Sequence, residues 1–358
     1  MSHDFHPLSV AEVLRETTDS VSVRFEIPDA LRETFAFKAG QHLTLRRVFD
    51  GEEVRRNYSL CTAPHENALK ISVKTIGGGV FSRWANEELK VGDTIDVMAP
   101  HGSFTWNFGG DAPRHYAAFA GGSGITPILS LMKTALVLEP RSRFTLCYGN
   151  RTSAGIMFLE ELAALKDRYL DRFALYHFLE DEEEEIAIYN GRLDRAKVDR
   201  ILTTLIAPTS IDAFFICGPG PMMDAIEGAL TAHEAPKSKI MIERFTTGPL
   251  SAAQAEAARA LEEKAAGLKM SVTLNGRRVQ VTFDPEKHSI LDNVRAAGLP
   301  APFACKGGVC ATCRSYVTAG EVQMKVNYGL SEQELAEGYV LTCQATPVSE
   351  GVALSYDA

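Results

Sequence analysis

Cys305-Lys-Gly-Gly-Val-Cys310-Ala-Thr-Cys313, followed thirty residues on by Cys343 in Val340-Leu-Thr-Cys343-Gln344, sets four cysteines in the order C-x4-C-x2-C…C. That is the spacing of a plant-type [2Fe–2S] centre. Two irons need four thiolates arriving from several sides, and one tight loop supplies three of them only if its backbone wraps closely. Gly307 and Gly308 permit the wrap because they lack a Cβ, and their amides can point at sulfur and tune the potential. A structural zinc site and a set of disulfides are the alternatives. Zinc sites of four cysteines usually arrive as two short C-x2-C knuckles, and only Cys310 and Cys313 form one. Disulfides need an oxidising compartment, and Met-Ser-His-Asp-Phe-His-Pro at the N-terminus lacks the basic and apolar regions of a secretory leader. Cys305, Cys310, Cys313 and Cys343 are the expected metal ligands, while Cys61, Cys147 and Cys217 are scattered as in a reducing compartment.

Around this loop lies a chain of 358 residues, room for two or three domains, with 45% hydrophobic and 23% charged residues. No apolar run approaches the ~20 residues that a membrane span needs, so a cytoplasmic protein with no membrane partner is expected. A formal net charge of −9 disfavours nucleic acid. The run Glu180-Asp-Glu-Glu-Glu-Glu185 reads most simply as a solvated loop.

The chain divides by its periodicity. Over residues 1–108, alternating runs at 21–27, 42–46, 69–74 and 94–98, punctuated by Gly and Pro, predict an antiparallel β-barrel. Over 109–247 apolar strands at 116–120, 144–148, 213–217 and 240–245 alternate with helical stretches such as 127–138 and 158–169, which predicts an α/β domain on a parallel sheet. Residues 248–268, rich in Ala and Glu, read as a linker with helical character. The stretch 269–358 predicts a small α+β domain. It opens with a hairpin over 270–283, turned at Asn275-Gly276, and continues with a short helix over 290–297 capped by Ser289.

Four stretches of the first two domains carry chemistry. Arg56-Asn57-Tyr58-Ser59-Leu60 places a guanidinium, a phenol ring and a hydroxyl on one extended segment. A flavin nucleotide needs such groups for its phosphate, its ring and its N5. Gly77-Gly78-Gly79-Val80-Phe81-Ser82 fits an anion loop entering a helix N-terminus. Gly121-Gly122-Ser123-Gly124-Ile125-Thr126-Pro127 follows an apolar strand and precedes a helix, as does Cys217-Gly218-Pro219-Gly220-Pro221-Met222. Two such turns can meet at the C-terminal edge of one parallel sheet, one taking phosphate and the other bordering a nicotinamide. Each stretch taken alone could be an ordinary strand or glycine turn, and Cys217 alone a buried small apolar residue.

Taken together and in this order, the motifs resemble the ferredoxin–NADP reductase superfamily with a C-terminal plant-type [2Fe–2S] ferredoxin domain, and the resemblance covers nearly the whole chain. The length, the Ala/Glu linker and the segment Asn327-Tyr-Gly-Leu-Ser…Ala336-Glu-Gly-Tyr-Val-Leu-Thr-Cys-Gln344 are most similar to the reductase subunits of phenylacetyl-CoA epoxidases. The resemblance implies a β-grasp ferredoxin domain, FAD and NADPH as cofactors beside the [2Fe–2S] cluster, and an oxygenase or epoxidase component as electron acceptor. It implies that Arg56 holds the FAD pyrophosphate, Tyr58 packs on the isoalloxazine and Ser59 donates toward N5. Asn57, Val73 and Lys74 fall among the flavin contacts, and Gly78, Gly79, Val80 and Ser82 border the remaining phosphate. Gly121, Gly122, Gly124, Thr126, Pro127, Gly218, Pro219 and Met222 line the nicotinamide nucleotide. Cys217 lies near the nicotinamide C4, with Glu243 and Phe245 closing the flavin site, so that Ser59, Cys217 and Glu243 are the catalytic candidates. Gly77 departs from the commonest form of the glycine loop.

A nicotinamide delivers two electrons together and an iron–sulfur centre accepts one at a time, so a flavin between them is the expected splitter. The competing readings are an FMN- and NADH-dependent reductase of a ring-hydroxylating or demethylating oxygenase, and a non-catalytic metal-bearing interaction module. For the dinucleotide, no Asp or Glu lies between 144 and 157, whereas Arg151 follows the second strand of the α/β domain. Arg at such a place accommodates a 2′-phosphate, so Arg151, helped by Thr152 or Ser153, points to NADPH.

Overall fold

The structure, a computed structural model, describes residues 4–245 and 252–358. It divides into a unit ending at Arg244 and a second from Phe245 to Ala358.

The first unit begins with strands β1 (Phe5–Thr17), β2 (Ser20–Phe25), β3 (His42–Phe49), β4 (Glu52–Ser59) and β5 (Leu69–Lys74), helix α1 (Val80–Glu87) and strand β6 (Thr94–Met98). These strands form one antiparallel sheet in the order β4-β3-β6-β1-β2-β5. Its two edges meet at a bridge between Leu60 and Ile71, so the sheet curls back on itself. Val21, Val23, Phe25, Leu43, Leu45, Ile71, Val73, Ile95 and Val97 are buried inside, the period-two face expected from the sequence. Strand β1 escapes that pattern for a physical reason. Its first residues pair with β6 and its later ones with β2, with a register shift between Val10 and Glu12. Its buried face therefore changes midway. The β3–β4 hairpin turns at Asp50-Gly51, both with positive φ (49° and 86°), as a two-residue turn matched to strand twist requires.

The α/β part follows as β7 (His115–Gly121), α2 (Ile125–Leu138), β8 (Arg143–Asn150), α3 (Leu159–Arg168), β9 (Phe173–Leu179), α4 (Arg195–Thr204), β10 (Ala213–Cys217), α5 (Gly220–Ala232) and β11 (Ile240–Glu243). All five strands are parallel, in the order β11-β10-β7-β8-β9. The chain winds outward one way from β7 and then the other from β10. The crevice between β7 and β10 is therefore the topological switch point, where ligands bind in such sheets. Helix α2 also holds the loop between β4 and β5 of the barrel. Lys133, almost fully buried, contacts Glu66 at 2.7 Å and Glu161 at 2.9 Å, and Ser130 Oγ donates to the Thr62 carbonyl at 2.6 Å.

The second unit holds α6 (Ala252–Lys264), β12 (Lys269–Leu274), β13 (Arg277–Thr282), α7 (Ile290–Ala296), β14 (Arg314–Ala319), β15 (Val322–Met324), α8 (Glu332–Glu337), β16 (Tyr339–Leu341), β17 (Ala345–Pro347) and β18 (Ala353–Ser355). The main sheet runs β13-β12-β18-β14-β16, with α7 among the residues of its core. Asn275 and Gly276 both take positive φ (53° and 70°) in the β12–β13 turn, and the Ser289 hydroxyl accepts from the Asp292 amide at the start of α7. Of the expected linker, residues 248–251 lie outside the described residues. Most of the rest is α6, whose Glu262 is buried and accepts from His288 Nδ1 at 2.9 Å and pairs with Lys325. Among the described residues no helix is long and apolar enough to cross a membrane.

Candidate flavin, dinucleotide and cluster sites

At the switch point the two glycine turns cross almost in contact. A β-carbon on Gly124 would lie 2.1 Å from the Cys217 carbonyl oxygen, and one on Gly218 would lie 3.0 Å from the Gly121 amide nitrogen. A β-carbon on Gly121 would meet Pro219 Cδ at 2.7 Å and Met222 Sδ at 2.8 Å. Only glycine fits where backbone approaches backbone this closely. The turn after β7 is a short 3-10 segment entering α2, and Gly122 has φ of 50°. Thr126 and Pro127 are buried in the first turn of α2, and Thr126 Oγ1 donates to the Ser123 carbonyl at 3.0 Å. The Tyr148 hydroxyl of β8 donates to the Gly122 carbonyl at 3.0 Å, fixing the turn from the other side.

The structure also brings together the catalytic candidates of the first unit. Cys217 and Glu243 are register partners on β10 and β11. Cys217 is fully buried, and burial followed by the Glu243 charge pushes its thiol well above the usual range, so it is protonated. Glu243 Oε1 lies 3.8 Å from His42 Nδ1, and His42 is the register partner of Ser59 across β3 and β4. Directly opposed residues of an antiparallel pair share a face. Sequence reasoning missed His42. A single histidine in an alternating strand has no local signature, and only the β3–β4 register could have exposed it. Burial and the neighbouring His101 ring, 4.3 Å away between centroids, depress its basicity well below the usual imidazole range. It is therefore neutral. Two buried polar atoms of this group, Ser59 Oγ and His42 Nε2, have no hydrogen-bond partner. Leaving such atoms orphaned costs about 1–3 kcal/mol each. A polar ligand edge arriving here would relieve both, so the residues fit a flavin.

The other flavin candidates divide. The Tyr58 ring leans on Phe81 at 5.7 Å between centroids, and burial raises its phenol. Arg56 is exposed, its Nη1 donating to the Arg55 carbonyl at 2.7 Å, and Asn57 Oδ1 accepts from Thr44 at 2.9 Å. Val73 points into the barrel core, and Lys74 Nζ is already on Asp19 at 2.7 Å. Val80 opens α1, with Gly79 as its N-cap and Gly78 at φ of 74°. The Ser82 hydroxyl turns inward, donating to the Gly79 carbonyl at 3.2 Å and accepting from the Ile76 amide at 3.3 Å. Ser82 thus shapes the glycine loop from within. Phe245 lies just past β11 and belongs to the second unit by its contacts.

Arg151, expected to hold a 2′-phosphate, is exposed at the end of β8, its Nε and Nη2 lying 3.0 Å and 2.8 Å from Asp181 Oδ2, and Glu182 Oε1 accepts from the Ser153 amide at 2.9 Å.

In the second unit the cysteine loop is shaped by left-handed residues at Lys306, Gly308 and Ala311, with φ of 52°, 75° and 54°. Glycine is free to adopt this conformation, whereas lysine and alanine are strained by it, and such strain persists only when the surroundings enforce it. They do so here. The Gly308 carbonyl accepts from the Tyr328 amide at 3.0 Å, and the Lys306 carbonyl accepts from Gln344 Nε2 at 2.8 Å. The Thr342 hydroxyl donates to the Cys313 carbonyl at 2.9 Å, drawing Cys343 toward the loop. The thiols fall into two hydrogen-bonded pairs, Cys305 with Cys310 and Cys313 with Cys343. Among the described residues, no three His, Cys, Asp or Glu side chains form a group suited to one metal ion. Four thiols at the C-x4-C-x2-C…C spacing, three of them on one wrapped loop, fit a [2Fe–2S] cluster. The Gly307 amide points at Cys305 Sγ at 3.3 Å and Gln344 Nε2 at Cys343 Sγ at 3.7 Å. Such donors stabilise thiolate charge and raise a cluster potential.

Comparison with known proteins follows the same division. Residues 7–106 match the profile of the oxidoreductase FAD-binding domain, 119–228 that of the oxidoreductase NAD-binding domain, and 272–348 that of the 2Fe-2S iron-sulfur cluster binding domain. The chain is 43% identical over 354 residues to one of the subunits of 1,2-phenylacetyl-CoA epoxidase from Escherichia coli (strain K12), covering 99% of this chain and 98% of that one. It is 33% identical over 353 residues to the ferredoxin reductase component of 3-ketosteroid-9-alpha-monooxygenase from Rhodococcus rhodochrous, covering 98% and 96% of the two chains. The solved structure of phthalate dioxygenase reductase shares the fold, with a TM-score of 0.60, 23% identity and 98% of each chain covered.

Proposed function

The chain belongs to the reductase components of oxygenase systems that join FAD-, NAD- and [2Fe–2S]-binding domains, and from that premise we propose that its acceptor is the oxygenase component of a phenylacetyl-CoA epoxidase. When bound, FAD supplies the exchange between a two-electron donor and one-electron acceptors, and the cluster supplies the single-electron outlet.

The chain's own residues do the rest. Cys305, Cys310, Cys313 and Cys343 would hold the cluster through their thiolates. Tyr58 offers a flat face to the isoalloxazine, Arg56 a guanidinium to the flavin phosphates, and Ser59 its unspent hydroxyl to the ring edge. The turns at Gly121 to Gly124 and Cys217 to Gly220 bring backbone against the nicotinamide nucleotide. Glu243 and neutral His42 border the same crevice. A protonated Cys217 adds no second negative charge beside Glu243 on that wall. For the dinucleotide, Arg151 at the end of β8 is the group offered to the 2′-phosphate of NADPH; its exposed pair with Asp181 is weak enough for a bound phosphate to displace. Seven unbridged cysteines accord with work in the cytoplasm.

The observation that carries this reading is the 43% identity over 354 residues to a subunit of 1,2-phenylacetyl-CoA epoxidase, in a chain with four cysteines at the [2Fe–2S] spacing and two glycine turns crossing at a sheet switch point. Mixing the full-length protein with NAD(P)H, phenylacetyl-CoA, oxygen and the epoxidase oxygenase component tests it. Dinucleotide oxidation coupled to epoxide formation is expected. Full reduction of flavin and cluster with no epoxide would contradict the acceptor assignment.

A further inference from the structure

The C-terminal residues of the second unit reach back to the cysteine loop. Strand β18 lies between β12 and β14, and its Leu354 is buried in the core. Tyr356, two residues on, falls on the same face of the extended chain, and its ring packs against that core. The backbone is fastened at this point. The Tyr356 amide donates to the Thr273 carbonyl of β12 at 3.0 Å. The Asp357 carboxylate closes the tail on the β12–β13 turn, accepting from the Asn275 amide at 2.7 Å and the Gly276 amide at 2.8 Å.

Held in this way, the Tyr356 hydroxyl donates to Thr342 Oγ1 at 2.8 Å, and Thr342 Oγ1 donates in turn to the Cys313 carbonyl at 2.9 Å. The Thr342 amide reaches the same carbonyl at 3.2 Å, and the Thr342 carbonyl accepts from the Leu291 amide of α7 at 3.0 Å. Thr342 is fully buried and directly precedes Cys343, while Cys313 is the last cysteine of the loop. One side chain therefore joins the two segments that carry these cysteines, and Tyr356 stands behind it.

A hydroxyl has a single proton to give. Thr342 can give its own to the Cys313 carbonyl because the bond to the phenol is one it accepts. Burial holds that phenol above its usual range, so it keeps its proton and serves as donor. Hydrogen bonds in series polarise one another, and each is stronger in a low-dielectric interior than in water. The bond from Tyr356 thus strengthens the one that Thr342 makes to a cysteine carbonyl. Donors aimed at a ligand residue stabilise added negative charge there and raise a reduction potential.

We propose that Tyr356 is a positioning residue for the cluster: through Thr342 it fixes Cys343 against the cysteine loop and raises the reduction potential of the [2Fe–2S] centre. This rests on the reductase reading, which makes Cys313 and Cys343 ligands.

Potentiometric titration of the full-length, cluster-loaded protein, followed by the reduced-cluster EPR signal, tests it without relying on turnover. Tyr356→Phe keeps the ring and deletes only the hydroxyl, so the cluster should be retained. Its one-electron equilibrium should shift about threefold or more against reduction, a potential lower by at least ~28 mV. Thr342→Val should lower the potential at least as far, and Thr342→Ser, which keeps a hydroxyl, should stay near the wild-type value. In Tyr356→Phe/Thr342→Val the loss should equal that of Thr342→Val alone, because the phenol acts only through the threonine. An unchanged potential in Tyr356→Phe, whatever its melting temperature, or additive losses in the double variant, overturns the proposal and leaves the reductase reading intact. A wild-type protein that takes up no [2Fe–2S] cluster defeats both.

Discussion

Gly124 and Cys217, on turns ninety-three residues apart in sequence, approach so closely that a single β-carbon at 124 would lie 2.1 Å from the carbonyl oxygen at 217. The obstacle is backbone, which cannot swing aside as a side chain can. Gly124→Ala must therefore push apart the turns after β7 and β10. Such overpacking costs roughly 1–3 kcal/mol or more. A clear fall in melting temperature with weakened dinucleotide binding is expected by calorimetry. Unchanged stability and binding would show that the two turns are free to separate.

Ser59 predicts an opposite balance. Its hydroxyl is buried and unpartnered, so Ser59→Ala removes a desolvated group that makes no internal bond. The flavin-free variant should melt at or above the wild-type temperature. Flavin reduction by dinucleotide should slow by roughly three- to tenfold, the worth of one lost hydrogen bond. A destabilised variant with an unchanged reduction rate would assign Ser59 to the scaffold.

Glu262 predicts a pH dependence in the second unit. Burial raises its carboxyl, but hydrogen bonds from Lys325 and His288 outweigh this and hold it below the ordinary 4.5. A group depressed in the folded state stabilises above its unfolded value and loses that contribution as pH falls through its folded one. Stability of the second unit should thus be fully supported above about pH 4.5 and decline below it. In Glu262→Gln the unit should be less stable near neutrality and its acid decline shallower, as followed by cluster absorption during unfolding. Parallel pH profiles for the two proteins would contradict the assignment.

The cluster makes the most direct mutational prediction. Cys343 pairs with Cys313, and the Thr342 hydroxyl bonded to the Cys313 carbonyl holds that pair together. Cys343→Ser should abolish the reduced-cluster EPR signal and leave flavin bound, while Cys61→Ser and Cys147→Ser, in the first unit, should leave the signal intact. An intact two-iron signal in Cys343→Ser would remove it from the ligand set.

What could be read from sequence was whatever chemistry is local. The cysteine spacing, the two glycine turns and the Asn275-Gly276 hairpin each lie within a few residues, and short-range sterics leave them few alternatives. Strand β1 was not legible because its buried face switches where it passes from β6 to β2. His42 was hidden for a related reason, since its partners Ser59 and Glu243 come from two other strands. Arg151 was read from its neighbours in sequence, and those include no acid. The acid that meets it, Asp181, arrives thirty residues later through the parallel β8–β9 pairing. The Ser82 rotamer is set by the carbonyl of Gly79 and the amide of Ile76, which no motif encodes.

The order of electron carriers is the centre of this account, and anaerobic rapid mixing of the flavin- and cluster-loaded protein with reduced dinucleotide tests it most directly. Flavin absorbance should bleach first and the reduced-cluster EPR signal should follow it. In Cys343→Ser the flavin should bleach at the same rate with no signal after it. A reduced cluster formed by dinucleotide in flavin-stripped protein, or a cluster that dithionite reduces but dinucleotide never does, would contradict it.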